Sequence, residues 1–490
     1  MPSSHFSPRM QAGGAWPELP ASYVWPAYLA LDRSQWLDPE QLEEGQVRQL
    51  RTLLTHAVTR VPYYRDLFHA RGVRPDDIRT MDDFRRLPVL SRGVYQAEAG
   101  RMHADGLPDG MQDVGTLSTS GTSGVPIDVR QTDRVHFWWL AFLLRDTEWS
   151  GIDPRGSLAA IRPIKRPGAV GRRFLEGVAQ STWGDGLHSV IETGRSWVMD
   201  IHQDPRRQLA WLRRIDPDYL LSHPGNLEVL AGLALEEACR LPRLRVIQAI
   251  SEMLTDAARA RIAAAFGVPV RQVYTCSEAG YVASECPESG GWHVHAENVI
   301  LEVLDEADQV CPPGATGRVV LTTLHNFLAP FLRYDIMDEA VVGPSRCACG
   351  RGLPTLARVV GKRLIMLQLP SGRVKTPSDL VYGLRKIGAI HQYQVVQRAL
   401  DHVVVRVVPS AAWTADHARR VVAAVRTHFE ATVRVDVNQV DRIAPTAGGK
   451  VHNVVSELPA GVPSPPRRAP RSGGRGGRVR QTPRSRPRGV

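Results

Sequence analysis

Between Leu158 and Val320 short apolar runs alternate with helical patterns, and this alternation narrows the architecture more than any other feature of the chain. Leu158-Ala159-Ala160-Ile161, Tyr219-Leu220-Leu221, Val246-Ile247-Gln248-Ala249-Ile250 and Val270-Arg271-Gln272-Val273-Tyr274 read as strands. Helical periodicity fills the intervals near 205–215, 225–239 and 255–266. Strand, helix, strand in that order predicts a layered α/β body with mostly parallel pairing. Ligand sites in such sheets lie at the carboxyl ends of strands. That rule singles out Tyr274-Thr275-Cys276-Ser277-Glu278, and it makes His223 to Asn226 and Gly280 candidates for a substrate pocket.

The flanking segments set the domain organisation. At 490 residues the chain exceeds one ordinary core. Residues 1–44, rich in Pro, Trp and Tyr without clear period, are expected as an arm wrapping the first domain. Helical signals run from Pro39 to about Arg60, and Thr80 with its following aspartates marks a helix start. Thr132 to Trp149 is a strongly apolar helix whose Phe137, Trp138, Trp139 and Phe142 suit a core, with a pocket wall as the alternative. Val299–Leu304 and Gly317–Thr322 are hairpin-like. Around Gly361 a new unit begins, with strands at Val403–Val408 and Val433–Val437 and an amphipathic helix from Ala415 to Phe429. The expectation is a large body over 45–358, a small mobile α+β domain over 359–457, and a disordered arginine-rich tail over 458–490.

Charge and cysteine content limit the functional classes. Residues 459–490 hold nine arginines and no acid, so the net +11 falls to +2 without them and the body is nearly neutral. The tail could attach to nucleic acid or an anionic surface, but no aromatic residue interleaves its arginines to stack on bases. A neutral extension is the favoured reading. No run of 18 or more apolar residues suggests a membrane span, and no secretory signal is expected. Six cysteines in 490 residues fit a reduced cytoplasm.

Thr119-Ser120-Gly121-Thr122-Ser123-Gly124-Val125-Pro126 combines glycines, which allow close backbone approach, with hydroxyls that donate to phosphate oxygens. It lacks the lysine and spacing of the common nucleotide loop. A second constellation is metallic. Cys286 and His293 form Cys-x6-His, and Cys347 and Cys349 follow some 50 residues later. Three thiolates and one imidazole suit a closed tetrahedral zinc site. His295 competes for the imidazole position, and buried free thiols are the alternative; Cys239, Cys276 and Cys311 are read as ordinary packing residues.

Taken together, these stretches resemble the adenylate-forming superfamily, which activates carboxylates with ATP. Thr119 to Pro126 is similar to its phosphate loop, implying that Thr119, Ser120, Gly121, Thr122, Ser123 and Gly124 contact ATP. Tyr274 to Glu278 resembles its aromatic-x-x-[ST]-Glu motif, implying nucleotide contact by Tyr274 and Ser277 and Mg²⁺ held by Glu278. Arg333-Tyr334-Asp335-Ile336-Met337-Asp338 resembles the segment whose last Asp accepts both ribose hydroxyls, which assigns Arg333 and Asp338 to the nucleotide. Pro445 to Lys450 resembles the element that delivers the adenylation lysine, Lys450. Similar Cys/His positions bind structural zinc in some relatives.

Val61-Pro62-Tyr63-Tyr64-Arg65 and Cys347-Ala348-Cys349-Gly350-Arg351 point to the phenylacetate–CoA ligase branch and its capsule-biosynthesis relatives. The resemblance implies a large body with a swinging lid, an aryl or arylacetic acid as substrate, and CoA as acceptor; it allows a dimer. Two departures stand out. The superfamily hinge Gly-Arg-x-x-Asp reads Gly361-Lys362-Arg363-Leu364-Ile365, without its carboxylate, and Ile127 replaces the lysine after Pro126. The altered hinge keeps open an adenylating amide ligase or a carrier-protein-loading enzyme. A zinc-stabilised binding scaffold and a nucleic-acid-associated protein are the non-enzymatic alternatives.

Overall fold

The computed structural model describes residues 19–118, 127–164, 173–184, 186–362, 367–371, 373–375, 378–444 and 453–458. The apolar strand-like runs assemble into one 12-stranded sheet. Its parallel half comprises β3 (Leu158–Arg162), β5 (Ser196–Asp200), β6 (Tyr219–Ser222), β7 (Val246–Ala249) and β8 (Val270–Cys276). The short β4 (Val178–Gln180) closes that edge antiparallel to β5. Continuous runs such as Val246-Ile247 are what a strand covered on both faces requires. Helices Pro205–Ile215, Pro224–Glu236 and Asp256–Phe266 provide cover, burying Leu209, Leu212, Leu227, Leu230 and Ile262 with Ile247 in one core.

At β8 the sheet changes character. β9 (Gly280–Glu285) returns antiparallel to β8, and every later pairing in this sheet is antiparallel. β10 (Trp292–Val294), β14 (Thr355–Lys362), β13 (Tyr334–Val342), β12 (Thr316–Thr323) and β11 (Val299–Leu304) follow in spatial order. The body is therefore parallel in only one half, which narrows the sequence expectation of mostly parallel pairing. The expected hairpin partners β11 and β12 do pair, Val299 opposite Thr323. Two further strands, β1 (Asp113–Ser118) and β2 (Asp128–Thr132), form a separate antiparallel pair flanking residues 119–126. There Ser118 Oγ donates to Asp128 Oδ1 at 2.5 Å.

The N-terminal segment departs from the aperiodic arm. Leu19–Ser34 is a helix (α1), with Val24, Ala27, Tyr28 and Leu31 buried. It lies on the apolar helix Asp133–Trp149, where Tyr28 Oη donates to Glu148 at 2.6 Å. Pro26 inside α1 and the absence of acids in its first turn hid it from sequence signals. The helix Pro39–Arg60 starts with Pro in its first turn and buries Leu42, Leu50, Leu53, Leu54 and Ala57 along one stripe.

A C-terminal unit follows β14. Its four-stranded sheet runs in the order β17 (Arg434–Gln439), β16 (His402–Pro409), β15 (Ile390–Ala399), β18 (Val454–Ser456). The helices Ser378–Arg385 and Ala415–His428 pack on it around Val403, Val405, Val421 and Val425. The unit touches the body where His391 Nε2 meets Glu236 Oε1 at 2.9 Å and Arg442 donates to the His202 carbonyl at 3.0 Å. Among the described residues no helix is long and apolar enough to cross a membrane.

Candidate active site and metal centre

The carboxyl end of β8 is where the sheet turns from parallel to antiparallel. The chain reverses within Ser277-Glu278-Ala279, and Cys276 pairs directly with Gly280, whose φ of +70° suits the turn. Asn298 Nδ2 donates to the Ala279 carbonyl at 2.9 Å, and Gln131 Nε2 to that of Ser277 at 3.3 Å, so the turn is held from two sides. An open cleft of about 550 Å³ lies over it. Thr275, Cys276, Ser277 and Gly280 line one wall.

Opposite them stand His136 and Trp139, stacked with ring centroids 6.0 Å apart and an interplanar angle of 11°. Arg162 at the end of β3 and Ser251 just after β7 complete the lining from the parallel half. Sequence reasoning missed Arg162 and Ser251, although the same strand-end rule reaches both. Trp139 is the pocket-wall alternative to a purely core aromatic.

Tyr274, Glu278 and Asp338 are buried and gathered on the inner side of this turn. Tyr274 Oη donates to Asp338 Oδ2 at 2.7 Å. Burial raises the Tyr274 phenol well above its usual value, and the Asp338 and Glu278 carboxylates push it the same way. Burial and then Glu278 also push Tyr95 up to about 12, and the same two causes raise Tyr334. Glu278 thus sits amid three protonated tyrosines, one of which bonds Asp338. Asp338 lies on β13 opposite Lys362, one position from the Glu339–Gly361 pair.

Other sequence candidates fall elsewhere. Thr119, Ser120, Gly121, Thr122, Ser123, Gly124 and Lys450 lie outside the described residues. Arg333, expected at the nucleotide, is buried away from the cleft. Its guanidinium makes two bonds to Glu302, at 2.9 and 3.0 Å, and donates to the carbonyls of Arg85 and Leu87. It ties β13 to β11 and to the N-terminal segment. His223 and Asn226 also miss the cleft wall. His223 is 2% exposed beside Glu252, and the Asn226 amide donates to Gln208 and Ser222 at 2.8 and 3.1 Å. Of the pocket candidates His223 to Asn226 and Gly280, Gly280 lines the cleft and the others do not.

A second cluster sits beyond the far end of β9. Cys286, His293, Cys347 and Cys349 each present a ligand atom, all within 4.8 Å of one another. Cys286 follows β9, His293 is on β10, and the Cys-x-Cys comes from the connection between β13 and β14. Cys286 Sγ and Cys347 Sγ are 3.9 Å apart, close to the tetrahedron edge of about 3.8 Å implied by zinc–sulfur bonds. His293 Nε2 lies 3.2 Å from Cys349 Sγ. Burial, reinforced by the Arg351 and Arg145 cations, lowers His293 to about 4 and keeps the imidazole neutral. Burial works against the Cys347 thiolate, but hydrogen bonds led by Ser289 bring the thiol below its ordinary value. The competing imidazole, His295, is occupied by Ser284 Oγ at 3.0 Å and Arg145 at 3.2 Å. These residues fit a soft, closed four-ligand centre.

With an α/β body that reverses at an acidic turn and a small α+β unit after β14, the fold is that of an adenylate-forming ligase. Residues 372–457 match the family described as CapK C-terminal domain. The chain is similar to phenylacetate–coenzyme A ligase of Thermus thermophilus, 26% identical over 381 residues that cover 74% of this chain and 79% of the relative. It is likewise 25% identical to the Escherichia coli K12 phenylacetate–coenzyme A ligase, over 77% and 84% of the two chains. Among solved structures, 2-hydroxyisobutyryl-CoA ligase in its postadenylation state shares the fold with a TM-score of 0.66, at 20% identity, covering 87% of this chain and 92% of that one. The similarity to phenylacetate–coenzyme A ligases thus extends over about three quarters of the chain, and the likeness of fold over 87% of it.

Proposed function

We propose that this protein is an adenylate-forming acid–thiol ligase that activates an aryl or arylacetic acid with ATP and Mg²⁺ and passes the acyl group to CoA. The observation that carries this reading is Tyr274 linking the neighbourhoods of Glu278 and Asp338 beside the cleft at the sheet's reversal. In the first step a carboxylate oxygen attacks the α-phosphorus and pyrophosphate leaves; in the second the CoA sulfur attacks the acyl carbon and AMP leaves. Such a transfer needs positioning and charge neutralisation above all.

Asp338, oriented by Tyr274, would accept the ribose hydroxyls. Thr119 to Gly124 would donate to the phosphates with Ser277 nearby, and Lys450 would bridge carboxylate and phosphate as charge develops. Glu278 offers the oxygen donor that Mg²⁺ prefers, and the ion would neutralise phosphate charge. The stacked His136–Trp139 wall suits a flat acid. Cys286, His293, Cys347 and Cys349 would hold a structural zinc. The chain divides on this reading into a body at 45–358 and a lid at 359–457, and it works in the cytoplasm. Ile365 at the hinge favours one second reading, transfer to an amine or carrier protein instead of CoA.

The test is acid-dependent exchange of labelled pyrophosphate into ATP, for wild type and Lys450→Ala, followed by addition of CoA, amines or carrier protein. Exchange with aryl acids that is lost in the variant, then thioester formation with CoA, is expected. No exchange with any acid removes the reading, and equal exchange in both proteins removes the role of Lys450.

A further inference from the structure

Three consecutive residues after β7 reach from the cleft to the end of β14. Ser251 lines the cleft and holds a left-handed backbone, φ +68°. Glu252 is pinned on both sides: its carbonyl accepts from Gln272 on β8 at 2.7 Å, and its carboxylate from the Gly225 amide at 2.9 Å. Met253 then lies directly on Gly361. A Cβ built on Gly361 would come within 2.2 Å of Met253 Cγ and 3.1 Å of Sδ, and the φ of +88° there strains any other residue. Gly361 pairs with Glu339 and the next residue, Lys362, with Asp338.

The geometry points to Met253 as a positioning residue that couples cleft occupancy to the connection between body and C-terminal unit. The segment is a short lever. Its fulcrum is Glu252, held by β8 and by the start of the helix Pro224–Glu236. A ligand pressing on Ser251 turns the segment about that point, and Met253 at the other end moves against Gly361. Because glycine presents bare backbone there, the thioether reaches the main chain itself, where any side chain would keep it off. β14 is the last strand of the large sheet before the C-terminal unit, so a shift at Gly361 biases how that unit is presented. Unbranched methionine, with several rotatable bonds, can follow such a shift without losing contact.

The inference rests on the two-step ligase reading, and the test separates the two. Pyrophosphate exchange reports the first step and acyl-CoA formation the second, both measured on one preparation of wild type, Met253→Ala and Met253→Leu. Their ratio does not depend on the folded fraction. Met253→Ala is expected to keep exchange within about threefold of wild type while acyl-CoA formation falls about tenfold or more, and Met253→Leu to restore the ratio. An unchanged ratio in Met253→Ala, or equal losses in both steps, overturns the coupling. Wild type that exchanges but transfers the acyl group to none of CoA, an amine or a carrier protein overturns it too, since no second step is there to couple. Absence of exchange in wild type instead removes the ligase reading, and the inference falls with it.

Discussion

Tyr274 donates a 2.7 Å hydrogen bond to Asp338 from a strand 64 positions earlier in the chain, and both groups are buried. The phenol stays protonated because burial and the adjacent carboxylates hold its proton. It therefore fixes one carboxylate oxygen and the orientation of the other.

Tyr274→Phe removes that bond and nothing else of size. Hydrogen bonds to charged groups contribute about 1.5–3 kcal/mol, so KM for ATP should rise between about 10-fold and 100-fold, with a smaller effect on KM for the acid. Asp338→Ala should raise it further. Steady-state pyrophosphate exchange at varied ATP checks both, and an unchanged KM in Tyr274→Phe refutes the orienting role.

Arg333→Ala should act on stability and not on nucleotide affinity. The variant strips Glu302, 4% exposed, of its two short guanidinium bonds and leaves it, among the described residues, only Arg85 at 3.9 Å. Breaking a buried pair from one side costs about 3–5 kcal/mol. Urea unfolding should show that loss, while KM for ATP per folded molecule stays at the wild-type value. A selective rise in KM would return Arg333 to the nucleotide.

Asp146 predicts a pH dependence of stability. Burial, with Glu285 adding to it, raises this carboxyl from 3.8 to about 7. Below the unfolded value both states are protonated and the group is neutral to stability. As pH rises from about 4 to 7 the unfolded chain ionises first, so stability falls across that window and the penalty is complete above it. At about 1.36 kcal/mol per unit the full penalty is on the order of 4 kcal/mol. Asp146→Asn should accordingly raise the melting temperature at pH 8 and change it little at pH 4. Equal effects at both pH values would contradict the assignment.

Metal content tests the cysteine–histidine cluster. Purified protein is expected to carry about one zinc per chain, and the double substitution Cys347→Ser with Cys349→Ser to carry essentially none. The same variant and strong chelators should lower the melting temperature, because closed zinc centres contribute directly to folding. His295→Gln should retain the metal, since that imidazole faces Ser284 and Arg145.

How far the sequence could be followed depended on the range of the interactions involved. The helix Pro39–Arg60 was fully legible because a first-turn proline and leucines at helical spacing are local signals. The parallel strands were legible from unbroken apolar runs such as Val246-Ile247. The reversal at β8 was not, because β10 is only three residues long and its other neighbour, β14, is reached across the chain, Trp292 opposite Leu356. The pairing of Arg333 was not legible for a related reason: Glu302, 31 positions upstream, decides where its guanidinium goes. His293 was placed in the metal set with His295, two positions on, as its competitor, and what separates them physically is Arg145, a long-range partner that claims the second. The acidic turn and Asp338 were singled out through motif resemblance, whereas the bond from Tyr274 to Asp338 required the fold.

Gln35 accepts a hydrogen bond from Arg351, 316 positions later, and Trp36 and Trp149 both face the same guanidinium at 4.7 and 4.8 Å. During synthesis at about 5–20 residues per second, that leaves roughly 15 to 60 s before Gln35 and Trp36 can meet Arg351 on the growing polypeptide. Tyr28 and Leu31 are covered sooner, by the helix Asp133–Trp149, so the contact that stays open longest at this end of the fold is the one Gln35 and Trp36 make with Arg351.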